Sequence, residues 1–172
     1  MNDIRMQRIE TGIGKGICIQ YTGAGQIAFE IRLWMEKTGK HLHAEWIPLS
    51  DSMTDIKQVC WPGSAVFDQA DSRWYSLITC QQGLLIPNSW PEEFDGQLES
   101  AAAYMPWFGQ IRESDGYIAI CQTPADAGYT CRHPAGGSTR LAYYWLPSLG
   151  KMTGVRKIRY SFRENCDYNQ LA

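Results

Sequence analysis

Several things are missing from this sequence, and each absence removes a class of function. No run of about 18 apolar residues occurs, so no segment reads as a membrane-crossing helix. Neither sign of charge dominates. Lys and Arg number 16 against 18 Asp and Glu, a net of −2, which gives no electrostatic case for holding a nucleic acid backbone. The six cysteines, at 18, 60, 80, 121, 131 and 166, form no CxxC pair, which argues against a zinc ribbon or a thioredoxin-like motif. There is no GxGxxG and no Walker A loop, so no nucleotide cradle is evident and no cofactor is expected. The opening residues, MNDIRMQRIE, are charged and lack the apolar stretch of a secretory signal. The default expectation is a cytoplasmic chain with free thiols, Cys80 and Cys121 buried within apolar strands. Repeats, linkers and low-complexity tracts are also absent.

What is present is strand pattern and aromatic rings. At 172 residues the chain is long enough for one domain, 1–172, burying about 70% of its unfolded surface. Seven Trp, nine Tyr and five Phe can fill a sheet core or line a binding surface. Apolar residues recur with period two. Between 26 and 36, Ile27, Phe29, Ile31, Leu33 and Met35 share one face. Gln26, Glu30, Arg32 and Glu36 share the other, where Trp34 is the exception. Lys37-Thr38-Gly39-Lys40 then predicts a turn with Gly39 at positive φ, followed by a strand from His41 to Ile47. Further strands are predicted at 16–21, 74–80, 83–86, 117–122, 140–146 and 155–162. Helical signal is weak: 96–104 and 50–59 could each hold a turn or two, and Asp167 reads as the cap of a helix that begins at the tail. Regular short strands between Gly and Pro turns predict an all-β antiparallel sandwich with one or two short helices.

Candidate chemistry is thin. His41 and His43 share a strand face and could chelate a metal, but a third ligand would have to come from elsewhere, and a solvated face explains them equally. Cys131-Arg132-His133 invites a Cys/His dyad without an orienting third residue. Glu92, Glu93 and Asp95 cluster in a polar loop, where a solvated turn fits better than a glycosidase carboxylate pair. No catalytic or metal-binding residue is assigned. The segments Tyr104–Gly109, Thr123–Tyr129 and His133–Gly137 combine rings with Pro and Gly. Because Pro cannot extend a central ladder, they are expected to leave the sheet as end loops, where ligand contacts are common.

Four segments together carry a resemblance: QQGLLIPNSWP at 81–91, MPWFG at 105–109, GYIAICQTPADAGY at 116–129 and YWLPSLGKMTGVRKIRYSF at 144–162. Over roughly 57–172 the chain resembles the N-terminal β-sandwich of large bacterial glycoside hydrolases, a galactose-mutarotase-like supersandwich that precedes a (β/α)8 barrel bearing the catalytic carboxylates. The resemblance implies a non-catalytic accessory module without its barrel, with 166–172 as the start of the helix leading onward. It implies carbohydrate as a ligand class, with Trp107, Asp126 and His133 as loop contributors and Trp145 as a stacking ring. It implies docking to a barrel, or self-association, through aromatic segments at 104–108 and 143–145. Two alternatives stand beside it: a free-standing carbohydrate-binding module, and a mutarotase-like epimerase, which would need a His and a Glu facing each other where His41, His43 and Glu45 share one face.

Overall fold

The computed structural model describes residues 2–24, 27–50, 57–63, 73–80, 83–99, 103–147 and 153–171. The expected polar position Gln26, most of the expected helical turn at 50–59 and the link Gln81-Gln82 lie outside them. The period-two pattern becomes strands almost throughout. They are β1 (Asp3–Glu10), β2 (Gly14–Thr22), β3 (Ala28–Glu36), β4 (His41–Pro48), β5 (Val59–Cys60), β6 (Trp74–Cys80) and β7 (Leu84–Pro87). Then follow β8 (Phe94–Glu99), β9 (Ala103–Arg112), β10 (Asp115–Cys121), β11 (Ala127–His133), β12 (Arg140–Trp145), β13 (Arg156–Arg163) and the short helix α1 (Tyr168–Leu171).

Two antiparallel sheets result. The larger has the order β1-β2-β3-β4-β13-β10-β9-β6-β7, and the smaller is β5-β12-β11-β8. β13 bridges the two halves of the larger sheet, joining the opening meander, through β4, to β10. The strongest sequence reading, the β3–β4 hairpin, forms as expected, with Gly39 at φ 70 in its turn. Phe29, Ile31 and Leu33 turn inward against a core that includes Trp46, Phe108, Tyr129, Tyr143, Trp145 and Ile158. β1 reaches past the cover of the smaller sheet. Its Ile4 and Met6, on the side of the inward Tyr21 and Ile19, are 67% and 71% exposed.

Directional bonds cross the apolar interior. The Tyr143 hydroxyl donates to the Ala119 carbonyl at 2.8 Å, reaching from β12 to β10. Gln110 of β9 donates through Nε2 to Ser76 Oγ at 3.0 Å and to the Thr139 carbonyl at 2.9 Å, and accepts from the Tyr117 hydroxyl at 2.5 Å. His133, 1% exposed, accepts at Nδ1 from the Thr139 hydroxyl at 2.9 Å and donates from Nε2 to the Trp90 carbonyl at 2.9 Å. Both ring nitrogens are therefore satisfied in the neutral form, as a buried imidazole requires.

Three expectations are corrected. Where the structure describes the span 96–104, expected to be helix, it is strand: Phe94–Glu99 pairs along β11 and β9 starts at Ala103, because cross-strand pairing outweighs local propensity there. The segment at 104–109 does not leave the sheet, since β9 lies between β6 and β10. Pro106 is accommodated because the β6–β9 register shifts between Ile78 and Cys80, a bulge at which its missing N–H is not needed. The Thr79 hydroxyl reaches the bulge carbonyls of Met105 and Trp107 at 2.6 and 2.8 Å. Nor do the aromatics Tyr143, Tyr144 and Trp145 form an exposed docking surface; they are buried in β12, as Phe108 is in β9.

The tail helix is held by two devices. Asp167 Oδ1 accepts the Asn169 and Gln170 amides at 2.8 and 3.0 Å, while Gln170 Oε1 accepts the Asp167 amide at 3.1 Å, a reciprocal capping box. Leu171, fully buried, sits on the outer side of the larger sheet beside Ile111 and Cys166. A Cβ on Gly109 or Gly116 would come within 3.2 or 2.9 Å of its methyl carbons, so these two glycines form the socket that receives it.

Candidate functional site: the outer face of the opening meander

β2, β3 and β4 send alternate residues to the outer side of the larger sheet. Register sets Glu30 opposite Gln20, Arg32 between Cys18 and Glu45, and Trp34 between Gly16 and His43. Their inward residues Ala44 and Trp46 are buried, and the polar residues of the outer side pair with one another. Glu30 is only 5% exposed. Its carboxylate accepts from Gln20 Nε2 at 3.0 Å and from Arg32 Nε. The Gln20 hydrogen bond and the adjacent guanidinium together hold its pKa below the usual range against the opposing effect of burial. Burial and the Glu30 charge push the neighbouring Cys18 thiol up.

A second group adjoins the first. The His43 and Trp34 rings stack with centroids 5.0 Å apart and planes 3° from parallel. His43 Nε2 lies 2.7 Å from Glu36 Oε1, and this contact is the main reason the Glu36 carboxyl is held below its usual range. Lys157 Nζ pairs with Glu45 at 2.9 Å, and His41 Nδ1 lies 3.0 Å from Ser161 Oγ. The indole Nε1 of Trp34 is buried and has no hydrogen-bond partner among the described residues. A cleft of about 540 Å³ runs over this face, lined by residues of β1 to β4 that include Gln20, Glu30, Arg32, Trp34 and Glu45.

The two outer-face carboxylates differ from a glycosidase acid in the direction of their titration. A glycosidase acid needs a carboxyl whose pKa is raised, set across from a second carboxylate. Glu30 and Glu36 are both driven the other way and stay anionic at neutral pH. His41 and His43 do share a face, but among the described residues no three His, Cys, Asp or Glu are placed to hold a metal ion.

The four residues singled out from the sequence do not converge. Asp126 sits in the turn before β11 at φ 58, exposed, with Arg156 Nη2 at 3.8 Å from its Oδ2. Trp145 is close by, since Ala127 pairs with it, but its ring is fully buried, and Nε1 donates to the Thr123 carbonyl at 3.3 Å. His133 lies at the opposite end of β11, about 20 Å from Asp126 at strand rise. Trp107 is half-buried on the outer side of β9, opposite Ile120. The outer-face group was missed, although one signal was legible: Trp34, the only ring among the polar alternates of β3.

The fold defines an antiparallel two-sheet sandwich, one of whose outer faces is a built polar surface. Neither a protein-family profile nor a curated sequence matches the chain. Solved structures do. The chain superposes on the α-N-acetylgalactosaminidase NagBb of Bifidobacterium bifidum (quadruple mutant) with a TM-score of 0.89 and 40% identity, over 98% of this chain and 29% of that one. The GalNAc complex of the same enzyme gives 42% identity and a TM-score of 0.89, over 96% and 28%. The ligand-free form gives 41% and 0.88, over 98% and 28%. At this identity the likeness extends beyond architecture. The chain is related to one part of a bacterial glycoside hydrolase and spans under a third of that enzyme's length.

Proposed function

We propose that this chain is a non-catalytic accessory sandwich of a glycoside hydrolase, supporting a catalytic barrel and lending contacts to carbohydrate. The observation that carries the reading is the 40% identity running along 98% of this chain against only 29% of the hydrolase. Two further features support it. The outer-face carboxylates Glu30 and Glu36 are held below the usual range by their hydrogen-bond partners, which suits hydrogen-bond acceptance and not proton donation. The exposed apolar side of β1, with Ile4 and Met6, offers surface for a neighbouring domain. Among the sequence candidates, Asp126 has the exposure a sugar or domain contact needs.

The test uses an aryl α-N-acetylgalactosaminide. The chain alone is expected to give no turnover above the uncatalysed rate. NagBb lacking its matching region is expected to lose activity or stability, and to regain both when this chain is grafted in its place. Turnover by the isolated chain that disappears on substitution of one Asp or Glu would overturn the reading.

A further inference from the structure

We propose that the outer face of β2–β4 binds a neutral sugar residue, with Trp34 as its stacking platform and Gln20, Glu30 and Arg32 as its hydroxyl partners. The argument starts from the indole. One face of Trp34 is covered by His43, in parallel planes. On its other side the cross-strand neighbour is Gly16, which has no side chain, and beyond it the half-buried Ile9 of β1 lines the same cleft. The sheet cannot easily fill that gap, because a Cβ on Gly16 would meet the Leu33 carbonyl oxygen at 1.9 Å and Trp34 Cβ at 2.6 Å. Trp34, half-buried, thus stands in the wall of a cleft of about 540 Å³, a volume within the range of small-molecule sites. The C–H face of a pyranose is apolar and stacks on such a ring, which a charged or extended polar ligand does not use as well.

The hydrogen-bonding groups around the ring select the same class. A sugar hydroxyl both donates and accepts, so it needs acceptors and donors side by side. Glu30 supplies carboxylate acceptors held ionised, and Gln20 and Arg32 supply donors fixed by that same carboxylate. The cleft also carries Glu45, itself paired with Lys157, and Glu10, paired with Lys15 at 3.6 Å. Cations and carboxylates are thus matched, and the surface favours neither an anion nor a metal ion. Side chains already tied to one another lose little freedom when a ligand arrives, which is the preorganisation a small polar ligand needs. The unpartnered Trp34 indole N–H marks the same spot as one where the chain's own hydrogen bonding is incomplete. This site stands on the outer-face geometry and does not depend on the hydrolase reading.

The experiment titrates ¹⁵N-labelled chain with N-acetylgalactosamine, galactose and glucose, using glucuronate as the anionic control. Monosaccharides have few atoms, so dissociation constants of roughly millimolar are expected. The Trp34 indole N–H resonance, identified by its loss in Trp34→Phe, should shift saturably with at least one neutral sugar. Trp34→Ala and Glu30→Gln should each weaken binding by roughly tenfold or more. Trp90→Ala, at another exposed ring, should leave it unchanged. Circular dichroism checks that each variant folds, and the wild-type indole shift reads the site without any substitution. No shift of that resonance at about 50 mM sugar, or binding indifferent to both Trp34→Ala and Glu30→Gln, overturns the proposal. Because the assay reads binding and not hydrolysis, its failure leaves the accessory-domain reading standing, and the reverse is also true.

Discussion

At the scale of single residues, the interior sorts the six thiols by reactivity. Cys60 is exposed and Cys80 half-buried, whereas Cys18, Cys121, Cys131 and Cys166 are buried. Burial pushes the Cys121 thiol up to about 11 and Cys131 up to about 12. At neutral pH the thiolate of either is then on the order of one part in ten thousand or less, and only the thiolate attacks. Native protein treated with a thiol reagent is expected to label at Cys60 first, with the four buried sites reacting after denaturation. Fast native labelling of Cys131 would show that the β11 interior opens readily.

His133 is the residue where a functional reading and a packing reading make different forecasts. Its two ring hydrogen bonds serve Thr139 and Trp90 inside the protein. Replacing it with Ala strands a buried hydroxyl and a carbonyl and opens space, so a loss of about 3 kcal/mol is expected in urea unfolding. Any sugar affinity should be unaltered. Unchanged stability together with lost affinity would return His133 to the role its sequence context implied.

At the scale of elements, legibility followed how local each determinant is. The β3–β4 hairpin was readable because alternation, turn chemistry and Gly39 all lie within about twenty residues of sequence. The cap at Asp167 was readable for the same reason, as its partners lie within three residues. β9 was misread because Pro106 breaks a ladder as a rule, and the bulge that excuses it depends on β6, about thirty residues earlier. The outer-face site was legible only as an anomaly at Trp34; its partners come from β2 and β4, whose register a single strand cannot disclose. Trp145 was misleading in a different way. A third consecutive ring in a predicted strand does not disclose which face it takes, and cross-strand pairing with Ala127 turns it inward.

The tail offers an element-scale test of non-local packing. A four-residue helix cannot sustain itself in water, so α1 depends on its contacts. Leu171→Ala removes roughly 2 kcal/mol of apolar burial. Gly116→Val should do similar damage from the other side, since its first added carbon already meets Leu171 and the Gln110 carbonyl. Either change should speed hydrogen exchange at the Gln170 and Leu171 amides while β2–β4 protection holds. Equal exchange in wild type and both variants would mean the socket contributes nothing.

At the scale of the whole molecule, the two sheets face each other through apolar side chains, and apolar contact has no preferred direction. Two such plates, greased by Phe, Tyr and Trp, could glide past each other with little penalty. The Tyr143 hydroxyl on the Ala119 carbonyl acts as one dowel, and Gln110 on the Thr139 carbonyl acts as a second. A single dowel would stop translation yet leave a pivot; a pair forbids rotation as well. The strand ends along one margin of the smaller sheet, including the Asp126 turn that leads into β11, are therefore clamped in a fixed attitude to the larger one. Force applied at that edge is transmitted to the plate beneath it as if through one solid part.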